Sequence, residues 1–298
     1  MQTSYLSLSR PELEDRVEEL REKLKDCSLC PLECGVDRLN GERGRCNSGE
    51  ELLVSSFAPH HGEERPLVGQ YGSGTVFLSN CNLDCVYCQN YELSQLGRGR
   101  AMTPGEVAEG MLELQSKGCH NINWVSPTHF LPQLVESLVK AIDGGLEVPI
   151  VYNSGGYDSL ETLRLLDGMV DVYMPDMKYA NDECGLKYSG VPDYWKVNKR
   201  IVKEMYRQVG DLKIDDSGVA RRGLLIRHLV LPEGIAGTEK VLRFVGEELS
   251  RNSYVNVMDQ YRPCWKASEY GELGRSVTGE ELEKAFDLAR KMGLDRGL

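Results

Sequence analysis

From Gln70 onward, short apolar runs alternate with helix-patterned stretches, and this alternation constrains the fold more than any other feature of the chain. The runs fall at 75–79, 122–125, 149–152, 170–174, 224–231 and 255–258. Amphipathic segments lie near 104–117, 131–143, 158–167, 193–209, 237–250 and 279–292. Two strands separated by a helix pair in parallel, because only a long crossover brings the chain back to the same end of a sheet. Repetition of that unit through 255–258 predicts an α/β fold, a partial (β/α)6 TIM-like barrel over 71–298. No Gly-x-Gly-x-x-Gly follows the first run, which argues against a dinucleotide-binding sheet. Thr103 with Glu106, and Thr278 with Glu281, read as capping boxes opening two of the helices.

Each apolar run leads into or carries residues with chemical capacity. The first ends at Asn80-Cys81, the second at Ser126-Pro127-Thr128-His129, the third at Asn153-Ser154-Gly155-Gly156. The fourth leads to Asp176 and Lys178, and the sixth to Asp259-Gln260-Tyr261-Arg262. The fifth carries Arg227 and His228, which alternate faces, so one of them points into the barrel. Sites in parallel barrels collect at the C-terminal rim of the strands. Convergence of these ends therefore predicts a site there.

Cys81, Cys85 and Cys88 have the spacing C-x3-C-x2-C, directly after the first run. Ordinary electron-transfer clusters take four thiolates; a trio holds three irons of a [4Fe–4S] cluster and leaves the fourth iron open to an outside ligand. A zinc knuckle or disulfides are the competing readings. With Tyr87 before the last cysteine, the motif resembles the radical S-adenosylmethionine (SAM) superfamily. More closely, the chain from about Cys27 resembles the pyruvate formate-lyase activating enzyme-like, PflX-type branch. The resemblance runs through Cys81–Asn90, Asn121–His129, Tyr152–Tyr157, Asp176–Tyr179, Arg227–Pro232 and Gln260–Pro263.

That resemblance implies SAM on the open iron, and a 5′-deoxyadenosyl radical that takes hydrogen from a substrate. It implies adenine contacts from Tyr87 and Gln89. Asn153-Ser154 and Asp176-Met177-Lys178 stand where relatives carry loops approaching the SAM carboxylate and enclosing a monovalent cation. Arg262 stands at a late histidine position near the nucleoside. The chain departs from relatives where a Gly-Gly-Glu motif holds the SAM amino group: it has Ser126-Pro127-Thr128-His129, so Ser126 and Thr128 are the expected replacements. The implied substrate is a glycine on a partner protein; a small metabolite or peptide side chain is the alternative, and a non-catalytic iron–sulfur or zinc interaction protein the third. A reductant such as flavodoxin or ferredoxin is the implied electron donor.

Upstream, residues 1–70 are expected to form a helix and a small cysteine-rich module. Ser9, Pro11 and Glu12 open a helix whose apolar face is Leu13, Val17, Leu20 and Leu24. Cys27, Cys30, Cys34 and Cys46 then form a set able to hold zinc, the preferred reading, or a second iron–sulfur cluster. His60 and His61, before Glu63 and Glu64, could be ligands or contact substrate near the cluster; because they alternate on extended backbone they do not readily serve one centre, and surface or interface packing is the preferred reading.

The net charge of −11, with no basic stretch, argues against nucleic-acid binding. No apolar run approaches a membrane span. Residues 1–10 lack the basic start and apolar segment of a signal peptide, and the ten cysteines bunch at ligand spacing, so a cytoplasmic setting with reduced thiols is expected.

Overall fold

The computed structural model describes residues 2–298. Its strands are β1 (Leu52–His60), β2 (Ser73–Leu78), β3 (Arg100–Met102), β4 (Ile122–Val125), β5 (Ile150–Ser154), β6 (Val172–Pro175), β7 (Lys213–Ile214), β8 (Ala220–Leu229) and β9 (Tyr254–Met258). Its α-helices are α1 (Arg10–Glu22), α2 (Arg65–Val68), α3 (Tyr91–Ser94), α4 (Pro104–Ser116), α5 (Leu131–Asp143), α6 (Leu160–Leu165), α7 (Asp182–Ser189), α8 (Tyr194–Val209), α9 (Thr238–Phe244) and α10 (Gly279–Lys291).

Strands β2, β4, β5, β6, β8 and β9 pair in parallel in that order, the expected partial barrel. The sheet extends on the other side by antiparallel pairing of β1 with β2 and of β3 with β1. Strand β9 pairs with β8. Its ladder does not continue to β1 or β3, so the barrel is open along one seam.

Capping explains where the main helices begin. Ser9, Thr103 and Thr278 each accept from the backbone N–H three residues on, and Glu12, Glu106 and Glu281 return the bond. Leu13, Leu20 and Leu24 are buried, and α1 packs on α5. The expected segment at 237–250 is an α-helix only to Phe244 and closes as a π-turn over Val245–Leu249. Helix α7 carries no long apolar period and was not anticipated; the Asn181 side chain caps it by accepting from the Cys184 N–H.

Period-two alternation sorts the strand residues between the two faces of the sheet. Ile150, Tyr152, Tyr173, Leu224 and Ile226 belong to the large core beneath the helices. Val151, Val172, Met174 and Leu225 point inside, where Leu67 of α2 joins them. Two residues further along the same inward face come Asn153, Asp176 and Arg227. The barrel interior is thus apolar near the strand starts and charged toward their C-terminal ends.

Candidate active site

The strand ends and the cysteine loop enclose a cavity of about 380 Å3. Its wall includes Cys81, Cys85, Cys88, Tyr87, Gln89, Ser126, Asn153, Ser154, Asp176 and Lys178. Among the expected contacts, Thr128 and Arg262 are absent from this wall. The Thr128 hydroxyl donates to the buried carboxylate of Asp158 at 2.6 Å, which turns it away from the interior. Arg262 is exposed, beyond the point where the chain leaves β9.

The cysteine loop leaves β2 through Asn80, whose φ of +67° lies in the left-handed region that turns the chain sharply. The Leu83 N–H donates to Cys81 Sγ at 3.4 Å. Cys85 Sγ meets Ser189 Oγ at 3.0 Å, and Cys88 Sγ meets Ser94 Oγ at 3.1 Å. Burial pushes the Cys81 thiol up to about 12 and the Cys85 thiol up to about 11, Lys178 opposing the shift in both. Among the described residues, no three His, Cys, Asp or Glu side chains form a group able to hold one metal ion. A cube of four irons spreads its ligand sulfurs further apart than a single ion does, so three sulfurs facing one cavity, each with a donor or hydroxyl partner, fit a cluster.

Below the loop lies a layer of tyrosines. Tyr179 OH donates to Tyr87 OH at 2.7 Å and meets Ser189 Oγ at 2.9 Å, which links Tyr87 to the hydroxyl beside Cys85. Gln89 Nε2 donates to the Gln260 carbonyl at 3.1 Å, joining the loop to the chain after β9 across the open seam.

A charged network occupies the opposite wall. Asp176 accepts from Lys178 Nζ at 2.6 Å on one oxygen and from Arg227 Nε at 2.9 Å on the other. Burial alone would raise the Asp176 carboxyl; Arg227 and Lys178 outweigh it and hold the group below its ordinary value. Both Asp176 oxygens are thus taken by Lys178 and Arg227 in this structure. Arg227 also donates to Asn153 Oδ1 at 2.8 Å and stands 3.5 Å from Glu63. It is thus Arg227 that points inward. His228 points outward, satisfied by the Met177 carbonyl at 2.6 Å and Thr238 Oγ1 at 2.9 Å.

Three acidic residues here had no role of their own in the sequence reading. Glu63 and Glu64 line the cavity, brought in by the connection between β1 and β2. Glu63 accepts from Asn123 Nδ2 at 2.9 Å and Asn153 Nδ2 at 3.3 Å, and Glu64 from Asn256 Nδ2 at 2.7 Å. Burial raises the Glu64 carboxyl, with Arg227 opposing. The third, Asp158, accepts from Thr128, Tyr152 and Ser154, and so fixes the loops after β4 and β5 together. His60 also lines the cavity, edge-on to Phe77 at 5.6 Å between ring centroids, while His61 is exposed. His60 thus takes the alternative place, in the cavity lined by the cysteine loop, and only the second histidine of the pair faces solvent. No local motif marks any of these residues; their signal was charge beside apolar runs, which sequence alone does not place.

Ser126 has a φ of +56°, an uncommon conformation for a residue with a Cβ, and its N–H donates to the Asn153 carbonyl at 2.8 Å. The strained turn holds Ser126 on the cavity wall. His129 lies behind it, its Nε2 2.9 Å from the Ser79 carbonyl, and burial lowers it to about 3. It is therefore neutral, and it does not replace a carboxylate.

Residues 75–216 match the family described as the radical SAM superfamily. Two uncharacterized proteins of Methanocaldococcus jannaschii are similar along most of their length. One is 37% identical over 97% of this chain and 82% of its own; the other is 24% identical over 93% and 81%. A solved structure described as a radical SAM methyltransferase from Sphaerobacter thermophilus aligns with 99% of this chain and 94% of its own, at 16% identity and a TM-score of 0.48.

Proposed function

This chain belongs to the radical SAM superfamily, and on that premise we propose that its cavity is the site of SAM-dependent hydrogen abstraction. Cys81, Cys85 and Cys88 are the residues that would hold three irons of a [4Fe–4S] cluster. When bound, the cluster and SAM supply a 5′-deoxyadenosyl radical by one-electron reductive cleavage, and that radical takes hydrogen from a substrate. The observation that carries the reading is the convergence of the three sulfurs and the Lys178–Asp176–Arg227 network on one cavity.

The protein's own groups position and shield. Lys178 presents a positive charge for a carboxylate, held in place by Asp176 at 2.6 Å. Ser126, Asn153 and Ser154 offer polar contacts along one wall, and Tyr87 and Gln89 flank the last cysteine for the nucleoside. The Gln89–Gln260 bridge narrows the seam through which water would enter, and keeping water out protects a reactive intermediate.

Two substrate readings rest on different features. Abstraction from a glycine of a partner protein, as in glycyl-radical activation, is supported by the open seam beyond β9, where a chain segment can approach. A small polar metabolite or side chain is supported by Glu63, Glu64 and Arg227, which give the interior charge that a glycine does not use. A flavodoxin- or ferredoxin-like donor would deliver the electron.

Anaerobic reconstitution followed by reduction with SAM present tests the reaction. The expected product is 5′-deoxyadenosine, lost in the Cys85→Ala variant; its absence from the reconstituted wild type would refute the assignment. Deuterium carried into 5′-deoxyadenosine from a glycine-labelled partner, or from a labelled small molecule, separates the two substrates.

A further inference from the structure

The connection between β1 and β2 joins β2 at its start, where His60 pairs with Ser73. Glu63 and Glu64 on that connection therefore reach into the barrel from the end opposite the cysteine loop, which leaves β2 at its finish. The acids on the cavity wall outnumber its fixed cations. Glu63, Glu64 and Asp176 face Lys178 and Arg227, and both of those cations are bonded to Asp176. Glu63 is nonetheless satisfied: one oxygen accepts from Asn123 and Asn153, the other from the Glu64 N–H at 3.3 Å, with Arg227 3.5 Å away. Glu64 is not. One of its oxygens accepts from Asn256 Nδ2 at 2.7 Å, and the other has no hydrogen bond among the described residues.

A second, independent feature lies beside Glu63. Asn123 of β4 is fully buried, and its amide is aimed at the acidic wall, Nδ2 donating to Glu63 at 2.9 Å. A carboxylate only accepts, so the atom facing Glu63 is the amide nitrogen. That fixes the other amide atom as Oδ1, which is buried and has no donor. A buried acceptor left unpaired costs free energy that the N–H of a ligand recovers. The open groups at this end of the cavity therefore all accept, and the charge there is negative. A hydroxyl brings one donor and no charge, and a carboxylate brings neither donor nor cation. An ammonium brings three donors and the missing positive charge.

We infer that Glu64 and Asn123, the latter held in place by Glu63, form a subsite for an ammonium group, and that the substrate of this cavity is a primary amine, either a small free amine or a lysine side chain of a peptide. The ammonium anchors the substrate from the strand-start end, while the cysteine loop and Lys178 occupy the other end, so the carbons in between are the ones presented for hydrogen abstraction. That this guest is the hydrogen donor rests on the radical SAM reading; that the acidic end binds an ammonium does not.

Titration calorimetry on the full chain with putrescine, with butanediol as the neutral molecule of the same length, and with a Gly-Lys-Gly peptide tests this. Putrescine is expected to bind and butanediol not. Equal binding of the two, or no binding of any amine, overturns the inference. Glu64→Gln keeps the shape and the Asn256 contact but removes the charge, and is expected to weaken putrescine by about tenfold or more. Unchanged affinity in that variant would assign the binding to the acidic surface at large and overturns it as well. Should the variant not fold, the comparison of diamine with diol in the wild type decides. Displacement of putrescine by SAM would give the carboxylates to the cofactor, with the same consequence. The tighter binder of putrescine and the peptide identifies the source of the ammonium. A chain that binds the amine yet yields no 5′-deoxyadenosine would sink the proposed function and leave the subsite standing; one that yields 5′-deoxyadenosine without binding any amine does the reverse.

Discussion

Arg227 shows how much one side chain decides here. It touches Asp176, Asn153 and Glu63, and both it and Asp176 are largely shielded, with side chains 17% and 14% exposed. In Arg227→Met, Asp176 keeps only Lys178 and Glu63 loses its cation. The expected loss of stability is about 3 kcal/mol, because removing one partner leaves buried charge uncompensated. Urea denaturation at neutral pH measures it, and a variant as stable as the wild type would show that the network is solvated. Sequence reasoning reached Arg227 through its place on a strand but could not tell it from His228, since alternation gives two faces without saying which is inner. Burial and two ring partners identify His228 as the outward residue.

Between elements, the loops after β5 and β6 are held as one unit by helix α8. Tyr194 OH donates to the Gly155 carbonyl at 2.9 Å, and Asn198 Nδ2 donates to the Gly156 and Asp176 carbonyls at 2.8 and 2.9 Å. Gly156 sits at a φ of +74°, and a Cβ there would fall 2.0 Å from the Asp176 carbonyl oxygen. Gly156→Ala therefore combines a left-handed penalty of about 1–2 kcal/mol with displacement of Asp176. A lower melting temperature together with weaker SAM binding by calorimetry is expected; unchanged SAM affinity would mean that the two loops do not act together. The helix α8 that does this pinning was legible as a periodic segment, but its role was not, because Tyr194 and Asn198 bond to residues brought close only by folding.

At the scale of the whole molecule, two buried histidines tie stability to pH. Burial lowers His129 to about 3 and His228 to about 4. Unfolded, each titrates near 6.5, so below that pH the unfolded chain binds more protons and stability falls. Their contribution is complete above about pH 6.5 and is lost as the pH drops toward the folded values, by roughly 2 kcal/mol each at pH 5. Urea midpoints at pH 7 and pH 5 should differ accordingly, and His228→Asn should shrink the difference; an equal slope in the variant would contradict the account. Among the described residues, no helix is long and apolar enough to cross a membrane.

The sequence by itself determined the order and parallel sense of β2, β4, β5, β6, β8 and β9, the capped helices around them, and the cysteine trio. Each is a local signal: a period, a cap, a ligand spacing. Only the tertiary structure decided that Glu63 and Glu64 enter the barrel, that Thr128 and Arg262 stay off its wall, and that Arg38 lies buried beside Cys27. Those outcomes depend on contacts between residues far apart in the chain, such as Glu63 with Arg227 or Asn80 with Ser48, and no pattern of neighbouring residues encodes which distant charges will share a cavity.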